Sequence, residues 1–411
     1  MKKFLSILLT LSLLSSTLLF SCEDKNKSKE PKQPAGNEQD EELNKEKAIL
    51  ENVVFLMNED VNGENDKDVI NKFFGDFMID GFVQSSEASL ISRIYKIDNI
   101  LVTEYKDGDT IYEAVKNDVL YVMYKPKKSS SVSLEKYEKE NEWPLNIFDV
   151  FGFDMSNVYS NDAESSDDVL PKVTYDDLTL SEDHTTVTFS DDYLKAIAKN
   201  TVEAFDSFTN DEKEDFMDGI LVNCAFTVPD QTFTFNFEAT FEGYGDLTAD
   251  ITISFKDNKL CDYIGNVSIT TEVEGIPVTM TMVTSQNDTV YDVDNNVVSA
   301  NLMIRQIQEC EYLVDGITVD YSLTSDCYFS FVCENSAPKV YMLEETKESM
   351  SHTGASKTST SSKELIVENS TLRYTETSDG KVVERVTSDH VSLTTPENVT
   401  IPKNVYAAIR K

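Results

Sequence analysis

With 411 residues, 40% of them hydrophobic and 10% aromatic, the chain is long enough for two or three domains and can bury a sizeable core. Its 74 acidic residues outnumber 36 basic ones, for a formal net charge of −38. That balance argues against nucleic acid, whose affinity comes from neutralised phosphates, and against lying flat on anionic lipid. Solubility outside the cell explains the acidity.

The N-terminus opens with Lys2 and Lys3, followed by an uncharged apolar run over residues 4–20. This is the charged start and greasy core of an export signal, and it is short for a membrane span. The run closes on Leu19-Phe20-Ser21-Cys22, which resembles the bacterial lipobox. The resemblance implies that residues 1–21 are a signal peptide and that the Cys22 thiol carries a diacylglyceryl group. It also implies a protein anchored at the extracytoplasmic face of a cell membrane. The alternative is an ordinary signal with a chance cysteine. Residues 22–45 are almost wholly polar, with two prolines and a glycine, and read as a tether that cannot bury enough surface to fold. A flexible chain of that length spans roughly 25–30 Å.

Residues 41–58 place Ile49, Val53, Leu56 and Met57 at helical spacing, and a second helical piece is expected over 68–74. The stretch 99–126 reads as a three-stranded meander, with Asp107-Gly108 and Lys116-Asn117-Asp118 as its turns. Trp143, Ile147, Phe148, Phe151 and Phe153 then crowd into one short span. Ser190 is a good N-cap, with Asp191 and Asp192 favouring the positive end of the helix that follows.

From Gly219 the period becomes two. Phe233, Phe235, Phe237, Ala239 and Phe241 fall on one side; Ile251, Ile253 and Phe255 repeat the pattern, as do Val278, Met280 and Met282. The opposite positions are mostly Thr, Asn, Ser, Asp and Glu, so the sheet has one dry face and one wet face. A short helix is expected over 297–308, strands over 312–322, 326–333, 339–344 and 363–368, a mobile loop over 351–362, and a hairpin at Asp379-Gly380. The segments 75–82 and 214–221, GDFMIDGF and EDFMDGIL, echo each other. The echo leaves open whether two units, 46–190 and 191–411, are related by duplication.

The chemistry-bearing residues form no catalytic constellation. His184, His352 and His390 read as surface residues, and no nucleophile elbow, phosphate loop or zinc-binding helix motif occurs. No enzyme and no cofactor are expected. The acidic stretches 59–68 and 291–296 start like calcium loops but lack the turn glycine and the closing acid. After Cys22 come Cys224, Cys261, Cys310, Cys327 and Cys333. Five cannot all pair within one chain; Cys327–Cys333 is the pairing considered, and buried free thiols are the other reading.

Two functional readings follow from the dry face. In the first, Phe233, Phe235, Phe237, Phe241, Ile253, Phe255, Met280 and Met282 line a concave sheet that holds a lipid-like ligand, with Trp143, Phe148 and Phe151 as a lid. In the second, these residues are a solid core, and the protein is a tethered interaction or structural module. The order of helix, meander, helical insertion and further strands over about residues 46–290 resembles the lipoprotein-carrier superfamily of LolA-like and LppX-like proteins. The resemblance is one of architecture and carries over no binding residue. It implies an α+β fold of curved, half-barrel-like antiparallel sheets packed with a few helices, with acyl chains in the concavity.

Overall fold

The computed structural model describes residues 38–58, 75–81, 83–84, 91–97, 99–116, 119–128, 133–138, 146–153, 171–203, 209–241, 245–257, 259–273, 275–291, 297–314, 317–333, 339–352, 355–393, 395–396, 399 and 401–410. Cys22, Trp143, the expected helical piece at 68–74 and the calcium-like segments 59–68 and 292–296 lie outside them. The protein is α+β and dominated by antiparallel sheet. No described helix is long and apolar enough to cross a membrane.

In chain order, α1 (Glu38–Asn58) precedes β1 (Phe77–Asp80), β2 (Val83–Gln84), β3 (Ile91–Ile97), β4 (Ile100–Tyr105), β5 (Thr110–Lys116), β6 (Val119–Lys125) and β7 (Ser133–Glu138). Then come α2 (Ile147–Val150), β8 (Leu178–Leu180), β9 (Thr186–Phe189), α3 (Asp191–Glu203) and α4 (Asn210–Gly219). A long antiparallel series follows: β10 (Ile220–Thr227), β11 (Thr232–Phe241), β12 (Gly245–Lys256), β13 (Lys259–Val273), β14 (Ile276–Tyr291), β15 (Val297–Val314) and β16 (Ile317–Val332). The chain ends with β17 (Lys339–His352), β18 (Ala355–Glu368), β19 (Thr371–Ser378), β20 (Lys381–Ser388), β21 (His390–Ser392) and α5 (Lys403–Arg410). None of the sheets closes into a barrel.

The chain divides into two compact units, the first comprising Met1–Asn65, Ser160–Asp326 and Glu348–Thr358, the second the remainder. Strands β16, β17 and β18 have residues in both. In the first unit, neighbours run β8-β9-β10-β11-β12-β13-β14-β15-β16-β17-β18. Its core gathers the dry face of β10–β13 with Val53 of α1 and with Tyr193 and Ile197 of α3. The α1 helix starts at Glu38, so residues 38–45, read from sequence as the end of the tether, are helical. The Ser190 cap forms as expected, its hydroxyl accepting from the Tyr193 amide at 3.2 Å.

The second unit holds the sheet β21-β1-β3-β4-β5-β6-β7, which contains the expected meander β4–β5–β6. Its first turn is Asp107-Gly108, with Gly108 at φ +95°, where a side chain would be strained. The same unit carries the ladder from β16 through β20 to β2. At Asp379-Gly380 both residues have positive φ, as a tight hairpin between β19 and β20 requires. Val405 of α5 and Ile401 cover the face formed by Tyr95, Val102, Tyr112 and Met123. Asn146 and Asp149 cap α2 reciprocally, and this holds Phe148 in the interior.

Three expectations are corrected. Residues 297–308 belong to β15, paired along β14 from Val278↔Cys310 to Tyr291↔Val297. Leu302, Ile304 and Ile307 recur at roughly helical spacing, but both faces of the strand are half-buried, so no alternation marks it. Of residues 351–362, expected as a loop, 351–352 end β17 and 355–362 open β18; Ser and Thr are accommodated because cross-strand hydroxyl pairs such as Ser349–Thr358 suit a wet ladder. The short strands expected at 326–333, 339–344 and 363–368 are parts of β16, β17 and β18, and 312–322 is divided between β15 and β16. Cys327 and Cys333 form no disulfide, and neither do Cys224, Cys261 and Cys310.

Candidate functional site

The dry face of the first unit is laid out by its register. One row crosses it as Phe233, Ile253, Tyr263, Gln286 and Leu302, and the next as Phe235, Ile251, Gly265, Thr284 and Ile304. A third row is Phe237, Ala249, Val267, Met282 and Gln306. The face is therefore apolar from β11 to β13, mixed at β14, where Gln286 and Thr284 join Met282, and continues on β15 with Leu302, Ile304 and Gln306. Gln306 donates to the Met282 sulfur at 3.8 Å, and Gln286 donates to the Thr289 hydroxyl at 2.7 Å.

Aromatic packing fills the apolar end. Phe233 is 1% exposed, and its ring lies 4.6 Å from Phe226, 5.8 Å from Phe255, 6.1 Å from Phe235 and 6.3 Å from Phe189, centroid to centroid. Such edge and tilted arrangements add to area burial. Tyr263 is fully buried, and a side chain at Gly265 would collide with its hydroxyl, so the absent Cβ is what admits that ring.

Of the residues expected to bind a ligand, Phe233, Phe235, Phe237, Ile253 and Met282 are buried in one cluster, with Phe255 and Met280 half-buried against it. Phe241 ends β11, and its side chain, like Trp143, lies outside the described residues. Phe148 and Phe151, expected as a lid, belong to the second unit. There Phe148 packs edge-on against Phe329 at 5.3 Å, and Phe151 lies 4.8 Å from Tyr374.

The wet face of the first unit carries a groove of about 440 Å³ across β14–β17. Glu309, Glu311 and Asp320 supply carboxylates, and Thr279, Ser322, Ser349 and Ser351 supply hydroxyls, with Tyr321, Cys310 and Pro277 completing the lining. Ser351 donates to Asp320 at 3.2 Å, and Thr279 shares a 3.2 Å hydrogen bond with Thr270. Burial raises both the Cys310 thiol and the Tyr321 phenol, the latter also through the charge of Glu348. Both stay protonated at neutral pH, so neither is poised as a nucleophile or base. The arrangement can attract cations and exchange hydrogen bonds. Among the described residues no group of three or more His, Cys, Asp or Glu side chains could hold a metal ion.

Sequence reading misses this groove because its parts are scattered: Glu309, Cys310 and Glu311 lie just past the expected helix, Asp320, Tyr321 and Ser322 end an expected strand, and Ser351 opens the expected loop. The signal was present in Glu309-Cys310-Glu311, Asp320-Tyr321-Ser322 and Ser349-Met350-Ser351, where acid or hydroxyl residues flank a less polar one. Only the long-strand register brings them together.

No family model matches the chain, and neither does any curated protein or solved structure.

Proposed function

We propose that the protein is a lipid-anchored, extracytoplasmic interaction module, held to the membrane through diacylglyceryl-Cys22 and presenting the acidic wet face of its first unit to a basic partner. In this reading the sheet of that unit curves around its helices like a half-barrel, and the dry side is its own core. One observation carries the choice: Phe233 sits among four aromatic rings of its own chain with 1% of its surface exposed. Rings so placed occupy the space a carried acyl chain needs. What remains for recognition is the groove with Glu309, Glu311 and Asp320 on a chain of net charge −38, which favours encounter with cationic surfaces.

The test uses full-length protein purified without denaturant. Native mass spectrometry should find no co-bound amphiphile once detergent is removed, and a fluorescent fatty acid should not titrate. Oligolysine should bind the wild type in a salt-sensitive manner, with affinity lowered about tenfold or more in Glu309→Gln/Glu311→Gln/Asp320→Asn. A tightly held amphiphile would restore the carrier reading. Equal oligolysine binding by the triple variant would remove the groove as the recognition surface. The anchor is tested separately: labelled acyl precursors should join the wild type and not Cys22→Ala.

A further inference from the structure

The α1 helix is fastened to the rest of the first unit by two side-chain clamps distant in sequence. At its last residue, Asn58 accepts from the Val173 amide at 2.7 Å and donates to the Val173 carbonyl at 2.6 Å. One side chain thus satisfies both polar groups of one residue's backbone, as a neighbouring strand would. Nearer its start, Glu46 meets the His184 Nε2 at 3.0 Å.

His184 is held for this contact by its turn. Its φ of +59° is left-handed, a conformation that a residue with a side chain keeps only where its surroundings dictate it. They do so here: the His184 amide donates to the Ser181 carbonyl, and Asp183 accepts from the Ser181 hydroxyl and from both the amide and hydroxyl of Thr185.

Between the clamps, Val53 is fully buried, and Ile49, Leu50, Val54, Leu56 and Met57 pack against the dry-face cluster. The outer side still shows Leu43 at 65% and Phe55 at 37% exposure. A helix satisfies its main chain internally, whereas β11, β12 and β13 are locked to one another by continuous backbone ladders. The two attachments therefore differ in kind. One is side-chain packing with two polar clamps; the other is shared backbone hydrogen bonding over the whole strand length.

We infer that α1 is a strap that opens as a unit, released at Asn58 and His184, while the sheet beneath it stays folded, and that opening bares the apolar surface Val53 covers. Proteins open locally and sub-globally in contiguous cooperative units of unequal stability. The inference holds whichever partner the wet face takes.

Hydrogen exchange of the full-length wild type is the first test. Peptides from residues 44–58 should exchange through an opening that leaves residues 233–253 protected. In Asn58→Ala/His184→Ala the α1 peptides should exchange about tenfold faster or more, with strand protection unchanged. An apolar dye such as ANS should gain emission severalfold. His184→Gln, which keeps a donor for Glu46, should lie closer to wild type than His184→Ala. Loss of protection in α1 and the strands together, in the wild type itself, would overturn the inference whether or not the double variant folds. A folded double variant exchanging at the wild-type rate would do the same.

Discussion

Strands β11 and β18 belong to one kind of antiparallel ladder, yet their sequences have little in common. In β11, Phe233, Phe235, Phe237 and Ala239 are buried while Glu238 and Thr240 are exposed. In β18, the run Ala355-Ser356-Lys357-Thr358 is exposed at every position, and burial begins only at Leu365 and Val367. The contrast separates two things that sequence alternation conflates. Period two reports one-sided burial, and a strand wetted on both faces carries no such mark. What holds β18 is backbone pairing to its neighbours plus hydroxyl contacts, whereas β11 adds a dry face of tilted and edge-on rings.

The sharpest way to break this contrast is at Phe233. Removing a 1%-exposed ring with four aromatic neighbours forfeits both transfer energy and packing. Phe233→Ala should cost about 3–5 kcal/mol of unfolding free energy, read by denaturant melts of the first unit's transition. Thr234→Ala, on the wet side of the same strand, should cost no more than about 0.5 kcal/mol. Equal losses at the two positions would show that β11 is not one-sided.

An intermediate effect is expected where the ladder is polar but braced. Arg305 on β15 reaches Asp326 on β16 through Nε at 2.7 Å and a terminal nitrogen at 2.8 Å. The guanidinium is 40% exposed and the carboxylate 13%, so part of the attraction is screened and part is not. The paired, planar geometry is the strong form of such contacts. Arg305→Ala should destabilise by about 1 kcal/mol, and the difference should shrink in high salt. A gap that does not change between low and high salt would mean that stem packing, not charge, holds the two strands.

The same contrast explains what could be read in advance. The α1 helix, the β4–β5–β6 meander, the Ser190 cap and the Asp379-Gly380 hairpin were legible because each rests on local chemistry: apolar spacing, a capping hydroxyl or a residue free to take positive φ. Strand β15 was read as a helix because Leu302, Met303, Ile304 and Ile307 imitate a helical stripe, and nothing local records that Arg305 meets Asp326 on the next strand. The stretch 351–362 reads as a loop because its Ser, Thr and Gly composition describes exposure, not conformation. The groove between Glu309 and Ser349 is not legible either, since its walls meet only through the pairing of β14 to β17. The dry face was legible; the wet one depends on register, which composition does not encode.

The smallest effect belongs to a polar, half-buried part of the ladder. Ser362 on β18 and Thr377 on β19 face each other with their hydroxyls 2.7 Å apart, half-buried, in a register that continues through Lys363↔Glu376 and Leu365↔Tyr374. Deleting one hydroxyl leaves the other able to reach water, so Ser362→Ala loses a contact without stranding a buried group. The expected cost is about 0.2–1 kcal/mol in the second unit's melt. Ser362→Val, which adds β-branched bulk at the same site, should recover part or all of it, because the backbone ladder welcomes that shape once the hydroxyl partner is dispensable. A cost above about 2 kcal/mol for the alanine variant would mean that the hydroxyl pairs are structural anchors in their own right, and that β18 is held as specifically as β11.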